Sequence, residues 1–115
     1  LEEATKKLIS SHADSVVTVS SLNSKCHPAK ALSIKDDESL GFYEARGAKV
    51  INRQSLESLY WRNGVCYVFN RVSLLKNSWF FTENTIPFII EREIVNIDSP
   101  IELEWAEFLL KKRSN

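Results

Sequence analysis

The sequence predicts an α/β protein built on an open sheet, and three observations predict this class. An apolar repeat at helical spacing opens the chain and leads into a β-branched run at residues 15–20. A second β-prone run occupies residues 65–69, and a well-signalled helix follows an extended segment near Ser99. Helices that alternate with buried strands are typical of α/β sheets.

The first predicted elements are a helix and a buried strand. Apolar side chains recur at helical spacing at four positions: Leu1, Ala4, Leu8 and Ile9. Glutamates at the start and lysines further along complement the helix dipole, and the helix is expected to end near Ser11. After a turn at residues 13–14, the β-branched run 15–20 is predicted as a buried strand.

The middle of the chain has weaker patterns. Residues 23–28 are predicted as a polar turn segment. Residues 30–35 and 41–52 alternate only in part and are predicted as two strands, separated by an acidic tripeptide. Residues 53–60 are predicted to form a turn or a short helix.

Four elements are predicted between residues 62 and 90. Residues 62–64 (Arg-Asn-Gly) predict a turn before the strand at 65–69. Residues 71–77 predict a short helix, and residues 86–90 predict another strand. Its proline places this strand at an edge or near the strand start.

The clearest local signal in the chain is a helix start. Residues 91–98 are predicted to stay extended, followed by Ser99 as N-cap, Pro100 at the first helical position and Glu102 three residues after the cap. The predicted inward face of this helix is apolar: Ile101, Trp105, Phe108 and Leu109.

Composition excludes several classes of protein. Fifteen basic residues balance 15 acidic ones, so the basic excess that drives nucleic-acid binding is missing. No apolar run approaches the roughly 20 residues that span a bilayer, which argues against a membrane protein. Cys26 and Cys66 are too far apart for a metal knuckle, and no export signal precedes them, so a cytoplasmic setting is expected.

The organisation of the chain predicts one domain over residues 1–115. No linker or internal repeat divides it. The chain starts at Leu1 and contains no methionine, from which we expect it to be part of a longer product.

Asp98 is a candidate metal ligand because it ends an extended run, where open α/β sheets present ligand-binding residues. Its carboxylate could bind Mg²⁺ through oxygen, or it could help to cap the following helix. The local sequence leaves both roles open.

Basic and aromatic residues in predicted turns are further candidates for binding. The basic ones are Lys30, Arg53, Arg62 and Arg71. They could bind an anionic ligand or be solvated surface charges. Phe80 and Phe81 could wall a pocket or pack in the core. His12 and His27 have no suitable metal-ligand neighbours, and we expect them at the surface or in turns. The chain contains no glycine-rich phosphate loop.

Several short blocks of the sequence resemble the acylneuraminate cytidylyltransferases, the family of CMP-sialic acid synthetases, in order and spacing. The blocks are Asp14-Ser15-Val16-Val17-Thr18-Val19, His27-Pro28-Ala29-Lys30, Arg53-Gln54, Asn63-Gly64-Val65-Cys66-Tyr67, Phe80-Phe81, Asn96-Ile97-Asp98 and Ala106-Glu107. The resemblance spans nearly the whole chain. It implies the carboxyl-terminal part of a three-layer, Rossmann-like sheet of the nucleotide-diphospho-sugar transferase type.

The resemblance also implies a reaction. This family transfers CMP from CTP to the anomeric hydroxyl of a nine-carbon keto acid and releases pyrophosphate, with Mg²⁺ as cofactor. By resemblance, Lys30 and Arg53 supply positive charge, and Asp98 with Asn96 binds the catalytic magnesium. The implied substrate-binding residues are Gln54, Arg62, Asn63, Tyr67, Phe80 and Phe81.

Two positions depart from the family pattern. Asn96 stands where the family usually has aspartate, and it offers an oxygen without a charge. Trp61 stands where a family arginine is expected, although Arg62 is adjacent.

The resemblance implies a homodimer formed through a β-rich arm at residues 31–52. The family's amino-terminal half has no counterpart here, so the chain alone is expected to be inactive. Two alternatives stay open: a catalytically silent binding or dimerisation module of the same fold, and a cytidylyltransferase for another acidic keto-sugar.

Overall fold

The structure is a computed structural model that describes residues 1–49 and 56–114. The helices in these ranges are α1 (Glu2–Ser11), α2 (Arg71–Asn77) and α3 (Pro100–Ser114). The strands are β1 (Ser15–Ser21), β2 (Leu32–Ile34), β3 (Leu40–Phe42), β4 (Tyr60–Phe69) and β5 (Thr85–Ile89). The chain divides into two compact units, Leu1–Ser20 with Arg62–Asn115 and Ser21–Trp61. Each unit is described by itself.

The first unit is organised around β1, the central strand of a sheet with the order β4-β1-β5. β1 runs parallel to β5, with Ser15 opposite Thr85 and Val19 opposite Ile89. Val16 is completely buried, as the β-branched run predicts. The strands predicted at residues 15–20 and 86–90 are confirmed to within one residue as β1 and β5, and so are the helices α1 and α2.

β5 is an edge strand of this sheet, because its only neighbour in the described strand order is β1. Pro87 lies in β5 and has no N–H to donate, which suits an edge. The carbonyl of Pro87 instead accepts a hydrogen bond from the ammonium of Lys7 on α1. The prediction of an edge or near-terminal position for this proline is confirmed.

β4 pairs with β1 in the antiparallel sense. At one end Asn70 N donates to the carbonyl of Asp14. Further along, the hydroxyl of Thr18 accepts from Cys66 N and donates to the Cys66 carbonyl. The residue numbers therefore rise along β1 while those of the bonded residues on β4 fall, which defines an antiparallel pair.

The predicted turn at residues 62–64 is wrong, because β4 continues through it from Tyr60 to Phe69. Gly64 has a φ of 74°, which is accessible to glycine without strain and lets the strand kink without ending. The asparagine-glycine pair here introduces an irregularity within the strand. A buried contact of Asn63, described below, holds it in place.

The predicted inward face of α3 is also wrong. Ile101 is 68% exposed, Trp105 is 46% exposed and Phe108 is 53% exposed. Leu109 is half-buried, as predicted, and it shares its side of the helix with Ala106. Apolar residues occur all around α3, so their spacing does not select one face. The rotation of the helix follows from its contacts instead, among them the Arg113 guanidinium donating to the Glu93 carbonyl at 3.0 Å.

The second unit contains the antiparallel hairpin of β2 and β3, in which Leu32 lies opposite Phe42. The prediction of a strand over 41–52 is wrong at Ala45–Lys49, which is a 3₁₀ helix. Within this helix Gly47 packs closely against Ala29, because a Cβ at this position would lie 2.4 Å from the Ala29 carbonyl oxygen.

Some predictions fall on residues 50–55, which lie outside the described ranges. They include the end of the strand predicted over 41–52 and the beginning of the element predicted over 53–60. Residues 56–59 have no helix, and β4 begins at Tyr60. The three-layer sheet and the role of residues 31–52 as a dimerisation arm stay predictions.

Candidate functional site

Asp98 lies just before α3, and Glu102 fixes its backbone. The Glu102 carboxylate accepts from Asp98 N at 2.7 Å and from the Ser99 hydroxyl at 3.0 Å. These two bonds lower the pKa of Glu102, the bond from Asp98 N contributing most. The predicted glutamate of the capping box therefore binds both residues that precede the helix.

The side chain of Asp98 has a different environment from its backbone. It is exposed, and among residues 1–49 and 56–114 its carboxylate has no hydrogen-bond or ion-pair partner. The Ser99 hydroxyl donates to Glu102, and no described N–H of α3 donates to the Asp98 carboxylate. Of the two roles that the local sequence left open, capping by Asp98 is therefore not seen in the described residues, and metal binding stays a prediction.

Asn96 lies beside the irregularity in β4. Its side-chain amide nitrogen and oxygen lie 3.8 and 3.9 Å from the position that a Cβ on Gly64 would occupy. The structure therefore brings together two blocks that are 32 residues apart in sequence. The absence of a side chain at Gly64 leaves the Asn96 amide open on this side.

Asn63 supports this arrangement from within. Its side chain is fully buried, its amide nitrogen donates to the Ser20 hydroxyl at 2.9 Å, and its oxygen accepts from Val65 N at 3.1 Å. One bond reaches across to β1 and the other spans Gly64. Asn63, predicted to bind substrate, thus directs its polar atoms into the protein.

The predicted aromatic residues are brought together in one cluster. The ring centroids of Tyr67 and Phe80 are 4.9 Å apart, and those of Phe80 and Phe81 are 6.5 Å apart. Trp79 joins them, with its ring 4.6 Å from Phe80. Trp79 was not predicted as a site residue, although its position next to the phenylalanine pair is a usable signal.

The cluster is held in position by β1 and β5, while much of its surface stays accessible. The Phe80 carbonyl accepts from the hydroxyls of Ser15 and Thr85, the latter at 3.4 Å. Trp79 is 55% exposed and Phe81 is 53% exposed. Rings on a fixed backbone that remain open to solvent offer an apolar platform for a ligand.

The remaining predicted cations are distributed between the units. Arg62 is exposed on β4 in the first unit. Lys30 is exposed in the second unit, at the end of the 3₁₀ turn Pro28–Lys30. Within the described ranges the Lys30 ammonium makes no hydrogen bond or ion pair. Arg53 and Gln54 lie outside the described residues.

His27 precedes the Lys30 turn and caps it, which confirms the turn alternative of its prediction. The residue is buried, with 4% of its surface exposed. Its Nδ1 accepts from Ala29 N at 3.1 Å, so that the ring caps the turn. No local pattern signals this burial, because the surrounding residues are distant in sequence.

A magnesium ion would find few protein ligands here. The described residues contain no group of three or more His, Cys, Asp or Glu side chains that could hold a metal. Mg²⁺ commonly binds one or two carboxylates and keeps water and substrate phosphates as its other ligands. A carboxylate such as that of Asp98 and an amide oxygen such as that of Asn96 are ligands of the kind that such a site uses, and their role in binding Mg²⁺ stays a prediction.

Comparison with known proteins shows a similarity over part of the chain. No protein-family model matches the chain. The chain is similar to the post-translational flagellin modification protein B of Campylobacter coli, with 31% identity over 72 residues. The matched segment covers 62% of this chain and 31% of the relative, so the chain spans about a third of that protein. In the described ranges, no helix is long and apolar enough to cross a membrane.

Proposed function

We propose that this chain contributes to a cytidylyltransferase that transfers CMP from CTP to a sialic acid or a related nonulosonic keto acid. The observation that carries the proposal is the exposed Asp98 carboxylate, which has no described partner while Glu102 holds its backbone. The similarity to a flagellin modification protein is compatible with an enzyme that prepares a sugar for attachment to protein. The resemblance to acylneuraminate cytidylyltransferases supplies the reaction.

In the proposed reaction, the anomeric oxygen of the keto acid forms a bond to the α-phosphorus of CTP, and the bond to the β-phosphate oxygen breaks. Pyrophosphate leaves, and the anomeric hydroxyl loses its proton. Bound Mg²⁺ would neutralise phosphate charge, with Asp98 and Asn96 as its ligands from this chain.

The other proposed residues bind and orient the substrates. Lys30 and Arg53 would balance the negative charge of the triphosphate or the keto acid. Tyr67, Phe80 and Phe81 would pack against the apolar face of the sugar, with Trp79 extending their surface. Arg62 and Gln54 would bind its polar groups. The contribution of this chain is therefore mainly positioning and charge neutralisation.

The test uses the full-length gene product that contains this chain. It is incubated with CTP, Mg²⁺ and a panel of nonulosonic acids, while pyrophosphate release and the CMP-sugar are measured. We expect both products with at least one acid and neither without Mg²⁺. Pyrophosphate release without a CMP-sugar, or no reaction with any acid, would contradict the proposal.

A catalytically silent module is the second candidate, and Asn96 favours it because this position brings no charge to a metal site. Calorimetric titration of the full-length product with CTP and Mg²⁺ separates the two. A cytidylyltransferase binds the nucleotide in a magnesium-dependent way. A protein that has lost this chemistry and its nucleotide site releases no heat of binding.

A further inference from the structure

His27 is the buried titratable residue whose role the proposed reaction leaves unexplained. Its Nδ1 accepts a hydrogen bond from Ala29 N, so that Nδ1 carries no hydrogen. The hydrogen of the neutral ring is then on Nε2. Nε2 is buried and has no hydrogen-bond partner in the described ranges, and a carboxylate oxygen of Glu57 lies 3.7 Å away. The ring is therefore held in one tautomer that faces a negative charge.

Arg46 keeps Glu57 in place beside this ring. Its guanidinium makes two bonds to the Glu57 carboxylate, at 2.8 and 3.0 Å, and a third to Glu44 at 2.7 Å. The Arg46 contact is the main cause of the lowered pKa of Glu57. The carboxylate therefore stays ionised, and it favours the tautomer of His27 with a hydrogen on Nε2.

The same ring defines the turn that carries Lys30. His27 accepts two hydrogen bonds from this turn. Its Nδ1 accepts from Ala29 N, and its backbone carbonyl accepts from Lys30 N at 2.9 Å. On the other side the Ala29 carbonyl packs against Gly47, with no room for a Cβ. The turn is thus fixed from two directions, and the Lys30 side chain leaves it into solvent.

We infer that His27 is a positioning residue that orients Lys30 toward its anionic substrate, acting through the Nδ1 acceptor and the ion pair of Glu57 with Arg46. For the role of Lys30, this inference rests on the proposed function. The geometry of the turn does not depend on that function. Deleting the acceptor would release the backbone of residues 27–30 and let the lysine sample other directions.

A first experiment measures the tautomer in the full-length gene product at neutral pH. Long-range ¹H–¹⁵N correlation spectra of the histidine rings, assigned with His27→Asn, show which ring nitrogen carries the hydrogen. We expect the hydrogen on Nε2 and slow amide exchange at Ala29. A hydrogen on Nδ1, or fast exchange at Ala29, would overturn the inference without any reference to catalysis.

A second experiment compares two matched variants. His27→Asn retains an oxygen near the position of Nδ1, and asparagine is among the best capping residues, so we expect kcat/KM within about threefold of the natural protein. His27→Gln places its amide near Nε2 instead, and the lost cap is expected to lower kcat/KM by about tenfold.

The Lys30→Ala background identifies the route of this effect. If His27 acts through Lys30, His27→Gln changes kcat/KM by less than about twofold once Lys30 is alanine, because the two effects are not additive. An undiminished tenfold loss in that background would assign His27 a general structural role and overturn the inference.

The two proposals fail in distinguishable ways. In one case the protein makes no CMP-sugar, but His27 carries its hydrogen on Nε2, and the Ala29 amide is protected from exchange except in His27→Gln. This result refutes the proposed reaction and supports the role of His27 in fixing the turn. An active protein in which His27→Asn and His27→Gln lose activity equally retains the reaction and refutes the positioning role.

Discussion

The Glu102 carboxylate accepts a hydrogen bond from the backbone N–H of Asp98 at 2.7 Å, and this bond holds the backbone of the candidate metal ligand. Glu102→Ala removes it together with the bond from Ser99. We expect a weaker start of α3 and a higher Mg²⁺ requirement, with the fold otherwise kept. The measurements are thermal unfolding and the Mg²⁺ dependence of pyrophosphate release. Glu104→Ala, an exposed position on the same helix, serves as the control and should leave both unchanged.

The lowered pKa of Glu102 also predicts a pH dependence. A carboxyl group whose folded pKa is depressed contributes stability that is fully present above its unfolded pKa and is lost as pH falls through the folded pKa. Acidification below the ordinary range of a glutamate should therefore weaken the start of α3 more in the natural protein than in Glu102→Gln. Amide exchange at residues 98–103 measures this weakening as a function of pH. Equal acid sensitivity of the two proteins would count against a role of the Glu102 carboxylate in stabilising the helix start.

Asn63 is predicted to be a structural residue of the site. Asn63→Ala leaves the Ser20 hydroxyl and Val65 N without their described side-chain partner, which we expect to cost about 1–3 kcal/mol of unfolding free energy. Denaturant titration measures the loss. In a double-mutant cycle, Ser20→Ala should add much less in the Asn63→Ala background than alone. Full additivity would show that the bond between the two side chains contributes nothing.

Gly47 is predicted to admit no side chain. Gly47→Ala places a Cβ 2.4 Å from the Ala29 carbonyl oxygen and 2.8 Å from the Phe42 ring, so we expect a loss of about 1–3 kcal/mol and faster amide exchange in the Lys30 turn. Gly41→Ala is the matched control, because the atom nearest to its Cβ belongs to the flexible end of Lys35. Similar stabilities of the two variants would contradict the close packing at Gly47.

Asn96 is predicted to weaken the affinity for the metal rather than abolish it. Asn96→Asp restores the second carboxylate that the family usually has, and two charged ligands hold a divalent cation more tightly than one. We expect half-maximal activity at a lower Mg²⁺ concentration. Asn96→Ala should raise that concentration. A variant Asn96→Asp with an unchanged or higher Mg²⁺ requirement would indicate that this side chain does not bind the ion.

Local signals predicted the elements that local interactions determine. The helical repeat of α1, the β-branched run of β1 and the glutamate of the α3 cap are contained within a few residues each, and the structure confirms them. The edge position of Pro87 was also predictable, because proline lacks the donor that an inner strand needs. These features depend little on the rest of the chain.

The errors occur where distant residues decide the outcome. The asparagine-glycine pair normally indicates a turn, but the bond from Asn63 to Ser20 keeps it within β4. The spacing of apolar residues on α3 did not select a buried face, because the helix has apolar residues on all sides. The burial of His27 was not predicted, because it depends on contacts with residues far away in the sequence. Glu57 is one of these residues.

For the candidate site, the sequence indicated individual residues, whose roles stay predictions, and it did not indicate their arrangement. The sequence indicated Asp98 and the aromatic pair Phe80 and Phe81, and the structure adds Trp79 to that pair. The approach of Asn96 to Gly64 joins two segments far apart in the chain, and local patterns carry no information about such a contact.

The Mg²⁺ dependence of CMP transfer in Asp98→Ala tests the proposed function most directly. The full-length gene product and this variant are compared by pyrophosphate release over a range of Mg²⁺ concentrations, with Glu104→Ala as a control and the retained fold checked by unfolding. We expect Asp98→Ala to lose at least about a hundredfold in kcat, with partial recovery at high Mg²⁺. Asp98→Ala with the activity and Mg²⁺ requirement of the natural protein would contradict a metal-binding role for this carboxylate.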